Sequence, residues 1–387
     1  MADKTKRSKA GSGKKVRPAK VLGEVRAQID VLDAQIQALI SDRARLAGVV
    51  RESKGSLRHA VDYYRPEREA EVLRAVRERN EGPISDAEML RLFREIMSVC
   101  LAQQGPLKIA YLGPEGTFTQ QAVNRHFGHS VQALAVTGID DVFRQVETTE
   151  ADFGVVPVEN SSQGIVSHTL DRFVDSDLKI CGEIQMAIHH NLLTQAKSLA
   201  GIERIYSHQQ SLSQCRAWIR HHLPAAECIS VSSNAEAARR VRNAPDAAAI
   251  SSQSAAEIYG VPVLFARIED QPDNATRFLV IGRQLLAPSG DDKTSLLLAG
   301  DEGPGVLHSL LDPLARHSLN MTRIESRPSS AAAWSYVFFI DVEGHAEIEP
   351  LKSALREMQS LSSLTRVLGS YPKAITSRPA AVRDSDG

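Results

Sequence analysis

No apolar run in these 387 residues approaches the roughly 18 that a membrane-crossing helix needs, and none of the four cysteines stands in CxxC spacing. Charge of one sign is not in excess either: 46 Lys and Arg face 47 Asp and Glu, so the whole chain has no field to draw it to nucleic acid or an anionic membrane. The adjacent pairs His189-His190 and His221-His222 do not converge as i,i+4 ligands would, and no metal is expected. The stretch GPEGTF, Gly113 to Phe118, lacks the Gly-Lys-Ser/Thr ending of a phosphate loop. Cys215 has no evident base beside it and reads as inert. These absences leave a cofactor-free enzyme of a reduced, cytoplasmic compartment, long enough for two or three domains with cores of their own.

Residues 1–20 carry Lys4, Lys6, Arg7, Lys9, Lys14, Lys15, Arg17 and Lys20 among Gly, Ser and Ala. Nothing apolar there offsets the entropy of ordering, so a disordered basic tail is expected ahead of a nucleic-acid arm or a transit peptide. Leu22, Val25, Ile29, Leu32, Ile36 and Leu39 then recur in steps of three and four, a heptad seam on a helix from about Val21 to Ser53. The next seam position is Arg43, followed by Leu46 and Val50. A guanidinium on a packed seam costs several kcal/mol unless paired, so Arg43 must meet a carboxylate. Arg26 lies one position off the seam and Lys54 follows its end. Salt bridges to Asp33, Asp42 or Glu69 would satisfy these cations, and so would a bound dianion. Pro66, and a capping box of Ser85 and Glu88 with Ile84 placed to staple onto Met89, open two shorter helices. Their apolar faces are Ala70, Leu73 and Val76, then Met89, Leu92, Phe93, Ile96 and Cys100. Three helices of such unequal length cannot close a core alone, so residues 21–105 are expected to form an all-α, dimeric domain.

After Gly105-Pro106 short apolar runs alternate with helical stretches, the pattern of an α/β domain. LKIAYL is its first strand with GPEGTF at the carboxyl end, and FGVVPV is a later strand running into ENSSQG. Loops at such ends bind ligands in open α/β sheets. Strands near Ile180 to Leu193, Ile205, Ala248 to Ile250 and Phe278 to Ile281 complete two lobes with a cleft, over residues 106–286. The last of these begins unusually, with Thr276 and Arg277 where a turn residue is common. APSGDD, Ala287 to Asp292, reads as a linker. Residues 293–374 run βαββαβ, with helices from about Gly305 and over Ala346 to Ser362, which is the α+β, ferredoxin-like order. A flexible tail, 375–387, ends the chain.

The helical segment resembles the all-helical chorismate mutase family at Arg26, Arg43, Lys54, Arg68, Glu69 and Gln104. The resemblance implies rearrangement of chorismate to prephenate without proton transfer or covalent intermediate, by positioning and electrostatics. It implies a site that draws on both chains of a dimer, with Arg26 coming from the partner. Arg26 and Arg43 would hold the two carboxylates, Lys54 and Gln104 the ether oxygen, and Glu69 the ring hydroxyl. Arg65 stands where the family often has an acidic residue.

Four words, GPEGTFTQQA, VPVENSSQG, SHQQSLSQC and TRF, follow in the order and spacing of the prephenate dehydratase family, which the middle segment resembles. The resemblance implies a two-lobed, periplasmic-binding-protein-like fold that converts prephenate to phenylpyruvate with loss of carbon dioxide and hydroxide. Thr276 would stand nearest the departing hydroxyl as a hydrogen-bond donor in a relay, since a threonine alone is a poor acid. Asn160, Ser161, Gln214 and Phe278 would line the pocket, Arg277 would anchor a carboxylate, and Thr117 with its loop amides would add donors at a helix start. Glu159 is either a second relay member or a cap on the loop after its strand.

The last segment resembles the ACT family of amino-acid sensors through GPGVLHSLL and NMTRIESRP. Gly305, Val306, Leu307, Asn320, Glu325, Ser326, Arg327 and Pro328 would bind L-phenylalanine between paired domains, shifting the population toward a weakly active state. Val306 is larger than the Ala more often found there. Together the resemblances span Val21 to Ala374 and imply a bifunctional enzyme of phenylalanine biosynthesis, a homodimer or higher oligomer inhibited by its end product. One rival is dehydration of arogenate; a fused mutase that makes prephenate argues against it. The other is a non-catalytic phenylalanine-sensing dimer, and an arginine on the seam argues against that.

Overall fold

The computed structural model describes residues 18–53, 64–103, 105–162, 164–300, 303–328 and 336–375, the side chains of 18–21 and 51–53 excepted. The expected basic tail, Lys54 and Gln104 lie outside the described residues. The chain divides into two compact units after Gly55.

The first unit is helix α1, Pro18–Ser53, 36 residues long. The seam forms as its spacing demands, but Leu22, Val25, Ile29, Leu32, Ile36, Leu39, Leu46 and Val50 are all exposed in a single chain. Asp42, one acid available to Arg43, pairs with Arg45 at 2.8 Å.

The second unit opens with α2, Pro66–Arg79, and α3, Asp86–Ala102. Pro66 fits the first turn of α2, and the Ser85 hydroxyl accepts from the Glu88 amide at 3.2 Å to cap α3. Ala70, Leu73 and Val76 are buried as their spacing predicts. On α3 the spacing misplaces one residue: Leu90 is the buried contact to α2 and Leu92 is exposed. The helix is held on two sides, by α2 and by residues beyond it, where Glu95 meets His129 at 2.7 Å and Ser98 accepts from Ser130 at 3.3 Å. Its buried arc is therefore not one stripe.

The middle segment builds two α/β lobes. The first contains β1 (Lys108–Leu112), α4 (Phe118–Phe127), β2 (Gln132–Val136), α5 (Ile139–Glu147), β3 (Phe153–Asn160), β4 (Gly164–Ile165), α6 (Ser167–Asp175) and β5 (Lys179–Ala187). The chain crosses at residues 188–190 into β6 (Asn191–Leu193), so the stretch expected as one strand is two. The second lobe continues with β7 (Arg204–Ser207), α7 (Gln209–Gln214), α8 (Arg216–His222), β8 (Glu227–Ser230), α9 (Asn234–Val241), β9 (Ala247–Ser251), α10 (Gln253–Tyr259) and β10 (Val263–Phe265). The chain then returns as β11, Ala275–Gly282, and inserts antiparallel between β3 and β5. The sheets run β2-β1-β3-β11-β5 and β10-β6-β9-β7-β8.

The last segment is β12 (Asp292–Ala299), α11 (Val306–Arg316), β13 (Met321–Pro328), β14 (Tyr336–Glu343), α12 (Leu351–Leu361) and β15 (Leu364–Pro372), with sheet order β13-β14-β12-β15. α12 starts at Leu351 rather than near Ala346, because His345 to Ile348 form a turn and Pro350 directly precedes the helix. Both faces of this sheet are covered. Leu296, Leu298, Ile340 and Val342 pack under the helices, while Leu297, Phe339, Leu368 and Tyr371 join the core of the first lobe. A Cβ on Gly369 would run into the Ile180 backbone, so only glycine lets β15 lie so close to β5. Burial on two faces is why Leu296, Leu297 and Leu298 follow one another in β12 without polar alternation.

Candidate active site

In β11 Thr276 pairs in register with Asn160 and Arg277 with Glu159. Successive strand residues point to opposite faces, so the two polar neighbours are separated at once. Thr276 and Asn160 face a cavity of about 400 Å³ between the lobes. From the first lobe Gly113, Thr117, Phe118 and Phe278 complete its wall; from the second, His190, His208, Gln210, Ser211, Gln214, Ser233 and Asn234 do. Among the described residues lining it there is no Asp, Glu, Lys or Arg. Its electrostatics come instead from helix starts: α4 begins beside Thr117, and α9 begins at Asn234 with Ser233 as its cap. Such termini carry partial positive charge and unpaired amides, which suit an anion.

The Asn160 amide donates to Thr276 Oγ1 at 2.9 Å and to Asn274 Oδ1 at 3.0 Å. Because the threonine oxygen accepts there, its own hydrogen is left to donate elsewhere. Ser161, expected in the lining, is exposed and instead accepts from the Ala275 amide at 2.9 Å, holding the start of β11. Gln214 meets His190 Nε2 through its Oε1 at 2.7 Å. Burial lowers the pKa of His190, with Gln214 and Glu269 opposing, so the ring is neutral near pH 7. His190, His208 and Asn234 were not singled out as binding residues by sequence. The usable signal was positional: His208 and Asn234 start helices directly after strands of the second lobe, and His190 sits at a lobe crossing.

The opposite face of the same strands corrects two assignments. Arg277 does not reach the cleft. It donates to Glu183 at 2.9 Å, Asp341 at 2.6 Å and the Tyr371 hydroxyl at 3.0 Å, and Lys293 also holds Glu183 at 2.9 Å. Burial alone would lower the Arg277 pKa, but Tyr371, Asp341 and Glu183 raise it above its ordinary value, so it stays charged. Glu159 likewise faces away and is bound by Arg323 at 3.1 Å, which removes it from a relay. Cys215 is buried and its thiol pushed up by burial, in keeping with an inert residue.

The expected effector residues divide between the start of α11 and the segment from Asn320 through β13. Along β13, Arg323, Glu325 and Arg327 are half-buried, while Ser326 and Pro328 alternate with them and are exposed. Arg327, expected to touch the effector, instead pairs with Asp171 at 2.8 Å and donates to Ser167 at 2.8 Å. Gly305 opens α11 at φ +80°, and Asn320 is exposed before β13. The larger Val306 is accommodated, with Leu307 after it on α11, because Gly300 has no Cβ to meet the valine methyl. Of the expected mutase residues, Arg26 and Arg43 lie on α1, and Arg68 pairs with Glu71 at 2.7 Å on the surface of α2. Glu69 lines a small cavity with Tyr64, Arg94 and His126, whose pKa burial and Arg94 lower to about 3.

Residues 25–105 match the type II chorismate mutase family, 109–285 the prephenate dehydratase family and 294–358 the ACT domain. The bifunctional chorismate mutase/prephenate dehydratase of Stutzerimonas stutzeri is 50% identical over 358 residues, 92% of this chain and 98% of that one. A prephenate dehydratase from Arthrobacter aurescens, solved in complex with L-Phe, is 35% identical with a TM-score of 0.64, covering 69% of this chain and 90% of that chain. GqqA, described as a novel type of quorum quenching acylase, is 30% identical with a TM-score of 0.64, covering 69% of this chain and 98% of that chain.

Proposed function

This chain belongs to the bifunctional chorismate mutase/prephenate dehydratase family, and from that premise we propose how its residues divide the two reactions. It rearranges chorismate to prephenate, then decarboxylates and dehydrates prephenate to phenylpyruvate. The fold alone would not assign this chemistry, since GqqA shares it under another description; the match over nearly the full length does.

We assign the mutase to residues 21–105, the dehydratase to 106–286 and phenylalanine sensing to 293–374. Prephenate is placed in the cleft between the two lobes. The observation that carries this placement is the Thr276 hydroxyl, held by Asn160 in a cavity without charged side chains and edged by helix starts. In the reaction the ring carboxylate leaves as carbon dioxide, its bonding electrons enter the ring, and the ring hydroxyl departs with its own bonding pair as hydroxide, which a proton from solvent converts to water. Thr276 donates to that departing oxygen. The Thr117 loop, the start of α9 and the Gln214 amide hold the carboxylates, doing with oriented dipoles what Arg277 was expected to do with charge. Thr276→Ala tests the placement by removing the hydroxyl.

The mutase reaction is assigned to Arg26, Arg43, Lys54, Arg68, Glu69 and Gln104. The exposed α1 seam supports a homodimer, because a heptad face of that length is stable only when covered. Arg43→Ala is expected to slow chorismate consumption about a hundredfold while added prephenate is still converted. Loss of both activities in a folded protein would break the two-site division.

L-phenylalanine is the proposed effector, supported by the ACT match and by the L-Phe complex of the Arthrobacter dehydratase. Glu325→Ala is expected to raise the phenylalanine concentration for half-inhibition about tenfold. Identical inhibition curves would move the effector site elsewhere. Among the described residues no helix is long and apolar enough to cross a membrane, and the free cysteines fit the cytoplasm proposed as its compartment.

A further inference from the structure

A side-chain amide has a donor end and an acceptor end, and a dianion is held by only one of them. Gln214 lies in the cleft wall with its Oε1 2.7 Å from His190 Nε2. Its Nε2 is buried and has no hydrogen-bond partner among the described residues. A buried donor of this kind calls for an acceptor, and the acceptor that enters this cleft is the substrate.

We infer that His190 is a positioning residue for prephenate dehydration: its Nε2–H holds the carbonyl end of the Gln214 amide, so that the NH2 end is presented to a substrate carboxylate. The proton belongs on Nε2, because His190 Nδ1 is buried without a partner and a hydrogen there would be a second unmet donor. The ring has little freedom. It is 1% exposed, the Phe118 ring packs near-perpendicular to it at a centroid distance of 5.5 Å, and its own backbone amide donates to Glu269 at 2.8 Å. The backbone of Gln214 is fixed from the other lobe crossing as well, since its main-chain carbonyl accepts from the Asp270 backbone amide at 2.7 Å. Both connections between the lobes thus meet at one glutamine. With the amide reversed, an oxygen would face the carboxylates and its repulsion would replace an attraction. Burial keeps the imidazole uncharged, so it orients the amide without adding a cation to the cleft.

The inference rests on prephenate occupying this cleft, and four full-length variants separate the two claims. They are His190→Asn, His190→Gln, Gln214→Ala and the double variant His190→Asn/Gln214→Ala, each assayed for kcat/KM on prephenate, with chorismate conversion as the check of folding. His190→Asn, too short to reach the amide, should lose about tenfold. His190→Gln, whose amide nitrogen reaches the same oxygen, should return to within about threefold of the parent, a rescue that mere packing would not give. In the Gln214→Ala background His190→Asn should cost nothing further, because nothing is left to orient. An unaffected His190→Asn, or losses that multiply in the double variant, would overturn the inference. A fully active Gln214→Ala would instead remove prephenate from this part of the cleft. If His190→Asn fails to fold, His190→Gln decides: rates near the parent sustain the role, and a fall to the level of Gln214→Ala ends it.

Discussion

Thr276→Ala should slow prephenate dehydration by about 10²- to 10³-fold while chorismate is still consumed and prephenate accumulates. The size follows from what is removed. The hydroxyl oxygen accepts from the Asn160 amide at 2.9 Å, which leaves its hydrogen to be donated to the leaving oxygen in the proposed reaction. Loss of one such donor acts on the transition state more than on binding, so kcat should fall further than KM rises. Thr276→Ser keeps the hydroxyl and should retain most of the rate. Thr276→Val keeps the shape and should behave as the alanine variant does. Normal dehydration by either of the two variants without a hydroxyl would remove Thr276 from the reaction.

Arg277→Ala, one residue on, should behave in a wholly different way. Arg277, Glu183 and Asp341 have side chains 11%, 2% and 6% exposed, and deletion of the guanidinium leaves the buried Glu183 to the ammonium of Lys293 and the buried Asp341 to the hydroxyl of Ser295. Breaking a buried pair of this kind costs about 3–5 kcal/mol, read as a lower denaturant midpoint. Dehydratase activity per folded molecule should change far less than in Thr276→Ala, since the guanidinium faces β12, β14 and β15 rather than the cleft. A stable variant with a greatly raised KM for prephenate would show instead that Arg277 reaches the substrate.

The contrast marks what was legible in the residues. The words GPEGTF, VENSS and TRF located the cleft, because loops at strand ends gather at one edge of a sheet whatever the rest of the chain does. Alternation along a strand was also available from sequence, and it already separates Thr276 from Arg277. The partner of the arginine was not, since Asp341 belongs to another domain whose docking is fixed by Gly369 and the shared apolar face. His190 stayed hidden for a similar reason: a neighbouring histidine suggests metal, and its actual companion, Gln214, is reached only after the chain has crossed between lobes. Leu92 was misplaced because spacing assumes one buried stripe and α3 has contacts on two sides.

On the homodimer proposed from the uncovered seam of α1, the two reactions stand in different relations to abundance. With a second copy as its cover, the mutase assembles by mass action, and its specific activity falls as the protein is diluted through the dimer dissociation constant. The dehydratase cleft is built within one chain and keeps its rate per molecule. A cell with few copies would then turn over prephenate it is given yet make little of its own. Entry into the two-step sequence would be gated by how much of the enzyme is present.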